Sequence, residues 1–415
     1  MTSQRHDPSI LIVAPNVSAR MGGEAFLPLN YFRLLSQRGY RVHLIAHERN
    51  RAELLAMEGN DPSKMHFVPN TAWHRFFSRH TRRLHILNGM MLIVNDHYQA
   101  RLIKKIVAQE NIDVIHQPTP VSPRFPSSLH RFGPPLVIGP MNGGIDYPPG
   151  YEGYENRWRQ MMIMVGRKAA HAMNHVKRGK LKAKLLLVAN ERTRTILPNP
   201  HHPGIRTVVE NGVDFERWNL PDMGRAAPEP GRLRLAFMGR LAGWKAVDIT
   251  LEAVAIARNR GVDLALDIVG SGEEEENLKA LARQMNVAPY VNFHGYRPQE
   301  ECAAIVGKAD ALVLNSLKEC GGAVILEAMA IGLPVVASAW GGPLDYITDE
   351  SGILVHPTPR ETFAERLSDA FETLARDVDL RQRMGREGKR IVAEKFDWHQ
   401  KIERITSLYD EALRR

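Results

Sequence analysis

Short apolar runs alternate along the whole chain with longer stretches in which apolar residues recur every third or fourth position. In the first half, runs at 10–14, 41–46, 114–116, 136–139 and 185–189 predict strands. In the second half, runs at 233–238, 264–269, 291–294, 311–314 and 334–337 do the same. Runs that are apolar at consecutive positions and separated by helical patterns indicate parallel strands covered on both faces. Each half therefore predicts its own doubly wound, Rossmann-like sheet, and the protein an α/β class. At 415 residues the chain exceeds one ordinary core.

The expected division is a first domain over 1–219, a linker over 220–231 and a second domain over 232–390. The linker carries Pro221, Gly224, Pro228, Pro230 and Gly231 with almost nothing apolar. The tail 391–415 has a helical pattern with Phe396, Trp398, Ile402, Ile405 and Leu408 on one face, and is expected to pack back on the first domain. Two such domains predict a cleft between the carboxyl ends of two sets of strands, where open α/β sheets bind ligands.

Composition narrows the setting. A chain that is 44% hydrophobic and 24% charged is globular in character. Its two cysteines, Cys302 and Cys320, exclude a disulfide framework and a cysteine zinc site, which suits a reducing cytoplasm. The best candidate for a spanning segment, 84–94, is short and interrupted by His85 and Asn88. The net charge of +9 is unevenly placed: residues 1–190 hold 26 Lys and Arg against 12 Asp and Glu, the remainder 29 against 34. An acidic partner for the first half follows, whether nucleic acid, anionic lipid or a charged glycan precursor; the alternative is a set of solvated helix faces.

Three clusters carry candidate chemistry. The first runs from Asn315 to Ala330 and contains Glu319, Gly321, Gly322, Ala323 and Glu327. A strand ends, a loop carries Glu319, and two glycines open a helix whose N–H groups can hold a phosphate. Glu327 suits a vicinal diol such as a ribose, and Glu319 the hydroxyls of a transferred sugar. The second is Gly239-Arg240-Leu241-Ala242-Gly243-Trp244-Lys245, directly after a strand, with two cations placed to stabilise a diphosphate leaving group. Metal-dependent transferases neutralise that charge with an Asp-x-Asp cation site. Here that tripeptide occurs as Asp377-Val378-Asp379 in a polar helical region, so no metal is expected. The third is Gly22-Gly23-Glu24, a tight turn that permits close approach to an anion.

These segments resemble the retaining glycosyltransferases of family four, the group 1 glycosyl transferases of GT-B fold. The resemblance runs through Glu210-Asn211-Gly212-Val213-Asp214, Phe237 to Leu241, Ile268-Val269-Gly270-Ser271-Gly272, Phe293-His294-Gly295-Tyr296, the Glu319 to Glu327 pair and Gly341-Gly342. It implies two Rossmann-like domains facing a cleft and transfer from a nucleotide-diphosphate sugar with retention, by front-face attack. It also implies residue roles. Gly22 and Gly23 approach the distal phosphate, and Arg240 and Lys245 bind the diphosphate. Glu319 meets the donor sugar and Glu327 the ribose, with Gly270, Tyr296, Arg297, Gly321, Gly322 and Ala323 lining the donor site.

This sequence departs from the family at three places. Pro140-Met141-Asn142-Gly143-Gly144 stands where many members carry a histidine, so Asn142 is expected to hydrogen-bond the sugar without acting as a base. Gly321 replaces a phenylalanine. His116 stands where many members have the first of two histidines, with Pro118 in the second place. His116, Asn142 and Gly143 are the expected acceptor-side residues.

The expectation is therefore a cytoplasmic hexosyltransferase with no cofactor beyond its nucleotide-sugar co-substrate. Its acceptor is expected to be a glycan or a lipid-linked group of cell-surface polysaccharide. Basic stretches at 74–83 and 156–184, the latter rich in methionine, suggest peripheral attachment to an anionic membrane at its inner face. A nucleotide-sugar epimerase on the same fold is the alternative enzyme. A basic nucleic-acid-binding protein is the other class, disfavoured because the charge lies in one half and no zinc-finger or RNP-type motif is present.

Overall fold

The structure, a computed structural model, describes residues 7–19, 23–71, 86–154, 157–218 and 229–414. Gly22, the stretch 74–83 and most of the expected linker lie outside the described residues. The chain divides into two compact units.

The first unit holds seven parallel strands: β1 (Ile10–Val13), β2 (Val42–His47), β3 (Met65–Val68), β4 (Val114–Gln117), β5 (Leu136–Met141), β6 (Leu185–Val188) and β7 (Ile205–Thr207). Their order is β3-β2-β1-β4-β5-β6-β7. The second holds six parallel strands: β8 (Arg232–Met238), β9 (Asp263–Val269), β10 (Val291–Gly295), β11 (Ala311–Leu314), β12 (Val335–Ser338) and β13 (Gly352–Val355). Their order is β10-β9-β8-β11-β12-β13. Both are doubly wound, with the winding reversed between β1 and β4 in one and between β8 and β11 in the other. The ligand crevice of such a sheet opens at that reversal.

Central strands such as β1, β6, β11 and β12 are buried at every position, which is why they read as unbroken apolar runs. The three strands that the pattern did not predict, β3, β7 and β13, all lie at sheet edges. Each is only partly buried and mixes polar or half-exposed positions into a short run.

The units do not follow the expected boundaries. The first comprises 1–144, 163–210 and 402–415, and the second 145–162 and 211–401. Segment 145–162 belongs to the second unit because its aromatic and backbone groups bond there: Tyr151 Oη donates to Pro357 O at 2.7 Å, Tyr154 Oη to Asp248 at 2.7 Å, and Trp340 Nε1 to Asp146 O at 2.9 Å. The expected domain 1–219 is thus interrupted. The expected tail 391–415 takes in the end of one helix, Val378–Lys395, and the whole of another, Trp398–Leu413. Asp377 caps the first of them, its carboxylate accepting from Leu380 N at 2.7 Å, so the Asp-x-Asp tripeptide begins a helix. The second helix carries Ile402, Ile405, Leu408 and Tyr409 fully buried.

The end of that helix decides the role of His116. The histidine is 0% exposed. Its Nε2–H donates to Gly139 O at 2.7 Å, so Nδ1 must accept, and Tyr409 Oη donates to it at 2.7 Å. Tyr31 packs edge-on to the ring at 5.0 Å between centroids. Both nitrogens are committed inside the first unit, and the acceptor-side expectation for His116 is corrected to that of a core histidine. Burial lowers its pKa to about 4 despite the bond to Gly139.

The folded protein therefore keeps His116 neutral while the unfolded chain binds a proton below its ordinary pKa near 6.5. Its contribution is complete above pH 6.5 and is lost as pH falls toward 4, up to about 3 kcal/mol. His43, also lowered to about 4 by burial, acts in the same window. A thermal-unfolding series from pH 7 to 4 should show falling stability, with a shallower slope in His116→Gln. Tyr409→Phe should cost about 1–3 kcal/mol at pH 7 by leaving Nδ1 unsatisfied. Parent-like unfolding of Tyr409→Phe would contradict this bonding scheme.

Candidate functional site

The reversal of winding in the second unit places the ends of β8 and β11 side by side. The loops that leave them carry the two strongest sequence clusters, and backbone bonds stitch them together. Leu317 N donates to Trp244 O at 2.8 Å. Asn315, fully buried, donates its amide to Ala246 O at 2.8 Å and accepts from Thr250 Oγ1 at 2.6 Å. Ala246 has φ +53°, a left-handed conformation that costs a non-glycine residue about 1 kcal/mol, and these bonds hold it there.

Glycines let neighbouring loops come closer than a side chain would permit. A Cβ on Gly270 would lie 1.9 Å from Gly239 O, and one on Gly272 2.1 Å from Leu241 O. On the other side, a Cβ on Gly342 would meet Gly321 O at 2.3 Å, and one on Gly341 would meet Glu319 O at 2.5 Å. Gly342 N donates to Glu319 O at 2.7 Å. The loops after β8, β9, β11 and β12 thus form one layer of backbone at the carboxyl edge of the sheet.

Charged groups stand on that layer. Lys245 Nζ pairs with the Glu319 carboxylate, both side chains about nine-tenths buried, and the ammonium lies 4.4 Å from the Trp244 ring centroid. Arg240 is exposed and pairs with Glu273 at 3.0 Å. The helix Ala323–Ala330 starts directly behind Gly322, which has φ +91°, and no side chain caps its first turn. Its N-terminal N–H groups are oriented to receive an anion. Glu327, one turn along, is half-buried and accepts from Gln299 Nε2 at 3.4 Å. Tyr296 is 68% exposed, and Arg297 Nε donates to His294 O at 3.0 Å. Lys318 lies 4.9 Å from the Tyr147 ring centroid.

Of the expected site residues, Lys245, Glu319, Gly321, Gly322 and Ala323 are brought together at the β8–β11 crevice. Arg240 and Gly270 are joined to them through the Gly239–Leu241 backbone. Gly23, Asn142 and Gly143 belong to the first unit. Gly23 is exposed with φ +50° and open space where a Cβ would stand. Asn142 is 2% exposed; its amide donates to Glu210 Oε1 at 2.8 Å and its carbonyl accepts from Thr193 Oγ1 at 3.2 Å. Gly143 is buried, with its N–H on Thr193 Oγ1 at 3.2 Å. Asn142 and Gly143 therefore form a polar core network, and the expected bond from Asn142 to a sugar is corrected accordingly: burial and internal partners already occupy it.

Sequence reasoning assigned no role to Thr250, Trp244 or Glu273. Thr250 and Trp244 had no signal beyond proximity to the glycine cluster. Glu273 is one of four consecutive glutamates, which sequence leaves indistinguishable. Asn315 could have been singled out as a polar residue ending an apolar strand.

A model of the glycosyl transferases group 1 family matches residues 224–391. A D-inositol 3-phosphate glycosyltransferase of Corynebacterium jeikeium is 34% identical over 220 residues, 49% of this chain and 51% of that protein. The chain spans about half the length of the curated relatives it matches. Anabaena Alr3699/HepE, solved in complex with UDP, superposes with a TM-score of 0.68 at 15% identity, over 97% of this chain and 100% of that one. WaaG, a glycosyltransferase involved in lipopolysaccharide biosynthesis, gives 0.62 at 18%, over 96% and 98%. The fold is GT-B, built of two Rossmann-like units.

The backbone layer makes a direct prediction. Gly270→Ala and Gly342→Ala should each destabilise by more than ~1 kcal/mol, because the clash is with backbone and cannot be relieved by a rotamer. Gly243→Ala, whose nearest neighbour would be 4.0 Å away, should be close to neutral. Thermal unfolding of the three variants checks the ranking, and an equal effect at all three positions would contradict it.

Proposed function

We propose that this protein moves a sugar from a nucleoside-diphosphate donor to a glycan or lipid-linked hydroxyl, with retention at the anomeric carbon and no metal. The observation that carries the reading is the meeting of Lys245, Glu319 and the uncapped start of helix Ala323–Ala330 at the winding reversal. A diphosphate there would accept from the helix N–H groups and attract Lys245 and Arg240. Those cations take the place of a metal in this reading, and the nucleotide sugar is the only co-substrate it requires.

In the proposed step the bond from the anomeric carbon to the phosphate oxygen breaks, and negative charge develops on that oxygen. Lys245 and Arg240 stabilise it. The acceptor oxygen bonds the same face of the carbon, and its proton passes to the departing phosphate, which leaves the atoms and charges balanced. Glu319 orients sugar hydroxyls, and Glu327 holds the ribose diol. HepE is solved with UDP, which makes UDP the first nucleotide to test. WaaG is involved in lipopolysaccharide biosynthesis, and a cell-surface glycan made in the cytoplasm is the product class in this reading.

A thermal-shift panel of UDP, GDP, ADP and their sugars should show one selective ligand, and the shift and subsequent turnover should survive EDTA. Loss of activity with EDTA, restored by manganese or magnesium, would overturn the metal-free reading. Formation of a new nucleotide sugar without any acceptor would identify an epimerase instead.

The two carboxylates should separate kinetically. Glu327→Ala should weaken nucleotide binding about tenfold, as expected for a lost bond to a charged group. Glu319→Ala should lower kcat by on the order of 10²-fold with a smaller change in nucleotide affinity, because sugar contacts tighten as charge develops. Parent-like titrations and turnover for both variants would remove this site assignment.

A further inference from the structure

The helix Arg157–Lys177 stands almost entirely in solvent. Among its side chains whose burial is described, only Asn174 is buried. Of the twelve large hydrophobic side chains exposed among the described residues, seven lie on this one helix, so the apolar surface of the chain is concentrated there. Trp158, Met161, Met162, Val165, Met173 and Val176 follow the i, i+3, i+4, i+7 spacing of a single face, with exposures from 42% to 76%.

That face points away from the protein. The anchored side of the helix carries Ile163, Arg167, Ala170 and Asn174, which share the opposite stripe and are the more buried positions. Asn174 Nδ2 donates to Arg124 O at 2.8 Å, and Lys177 pairs with Asp96. An amphipathic helix ordinarily turns its apolar face inward; this one holds the protein with its more polar side.

Charge selects what covers the stripe. The helix sequence contains five Lys and Arg and neither Asp nor Glu. A second copy would bring cation against cation with no carboxylate on either helix to pair them. Anionic headgroups supply the missing charge, and flexible methionines conform to a fluid surface. We propose that this helix lies on an anionic lipid surface, with its Trp158 to Val176 stripe among the acyl chains and the exposed Lys168, which flanks the stripe, at the headgroups. The downstream lysines are not all part of this face. Lys180 is 2% exposed, with its ammonium on Pro123 O at 2.8 Å and Ser122 O at 3.2 Å, so it braces the loop after β4.

The test is sedimentation of the full chain with vesicles of phosphatidylcholine containing phosphatidylglycerol, and with phosphatidylcholine alone. Binding should require the anionic lipid and weaken at high salt. The triple variant Trp158→Ser, Val165→Ser, Val176→Ser replaces exposed side chains and should keep the parent melting temperature while partitioning about tenfold less or weaker still. Lys168→Gln should weaken binding to the anionic vesicles and make it less dependent on lipid charge density. The assay needs no donor or acceptor, so it stands or falls apart from the transfer reading, and an unchanged UDP shift in the triple variant shows that the donor site is intact. Equal binding to both vesicles, binding to neither, or parent-like binding by the triple variant would overturn the proposal. So would self-association in solution that the same substitutions abolish, because a second copy would then cover the stripe.

Discussion

Asn315 sits where the backbone of β11 meets the loop after β8, and its amide on Ala246 O fixes the turn that sets Lys245 in place. The placement of Lys245 depends on this join. Ala246 must hold a left-handed conformation for the chain to pass from the short helical turn at Lys245 into the helix Val247–Asn259. Without a partner for its carbonyl, that conformation would compete with ordinary ones only about 1 kcal/mol away. With Asn315 and Thr250 bonded to each other beneath it, the ammonium of Lys245 has one place to go, against Glu319.

A buried lysine–glutamate pair is not in itself a strong source of stability, because desolvation offsets most of the attraction. Its value here is in position. Each group holds the other's orientation in a site that excludes much of the water. A diphosphate arriving at the helix start would therefore meet a cation whose desolvation has been met during folding, which is the arrangement that electrostatic preorganisation requires. Arg240 is held differently: it is exposed, and its pair with Glu273 is of the surface kind worth little, so it can reorient toward a ligand at small cost.

The first unit uses polar residues for the opposite purpose. His116, Tyr31 and Tyr409 join β4, a neighbouring helix and the end of the chain, while Asn142, Thr193 and Glu210 bond beneath the loop after β5. These groups are buried, and the bonds that His116 and Asn142 make to Gly139, Tyr409, Glu210 and Thr193 specify which elements pack together. His116 and Asn142 were candidates for chemistry because they stand near strand ends, at positions where the resembled family carries histidines. Strand-end position alone does not distinguish the two, since it is shared by a side chain that points into the crevice and one that turns into the core.

What the amino-acid sequence determined by itself is whatever depends on local pattern. Central strands are buried on both faces, so they appear as apolar runs; glycines that permit close backbone approach, such as Gly270 and Gly342, stand at turns where their spacing is legible. The clusters around Lys245 and Glu319 could be read because each is contiguous and follows directly on a strand. Tertiary structure alone decided the rest. Edge strands β3, β7 and β13 are short and only partly buried, so no run of fully buried apolar positions marks them, and only the assembled sheet shows them paired. The assignment of 145–162 to the second unit rests on bonds to residues some two hundred positions away. The core role of His116 needed Tyr409, 293 residues further on. The outward direction of the Trp158 to Val176 stripe needed the anchoring bond of Asn174, because helical periodicity gives a face but not the direction in which that face points.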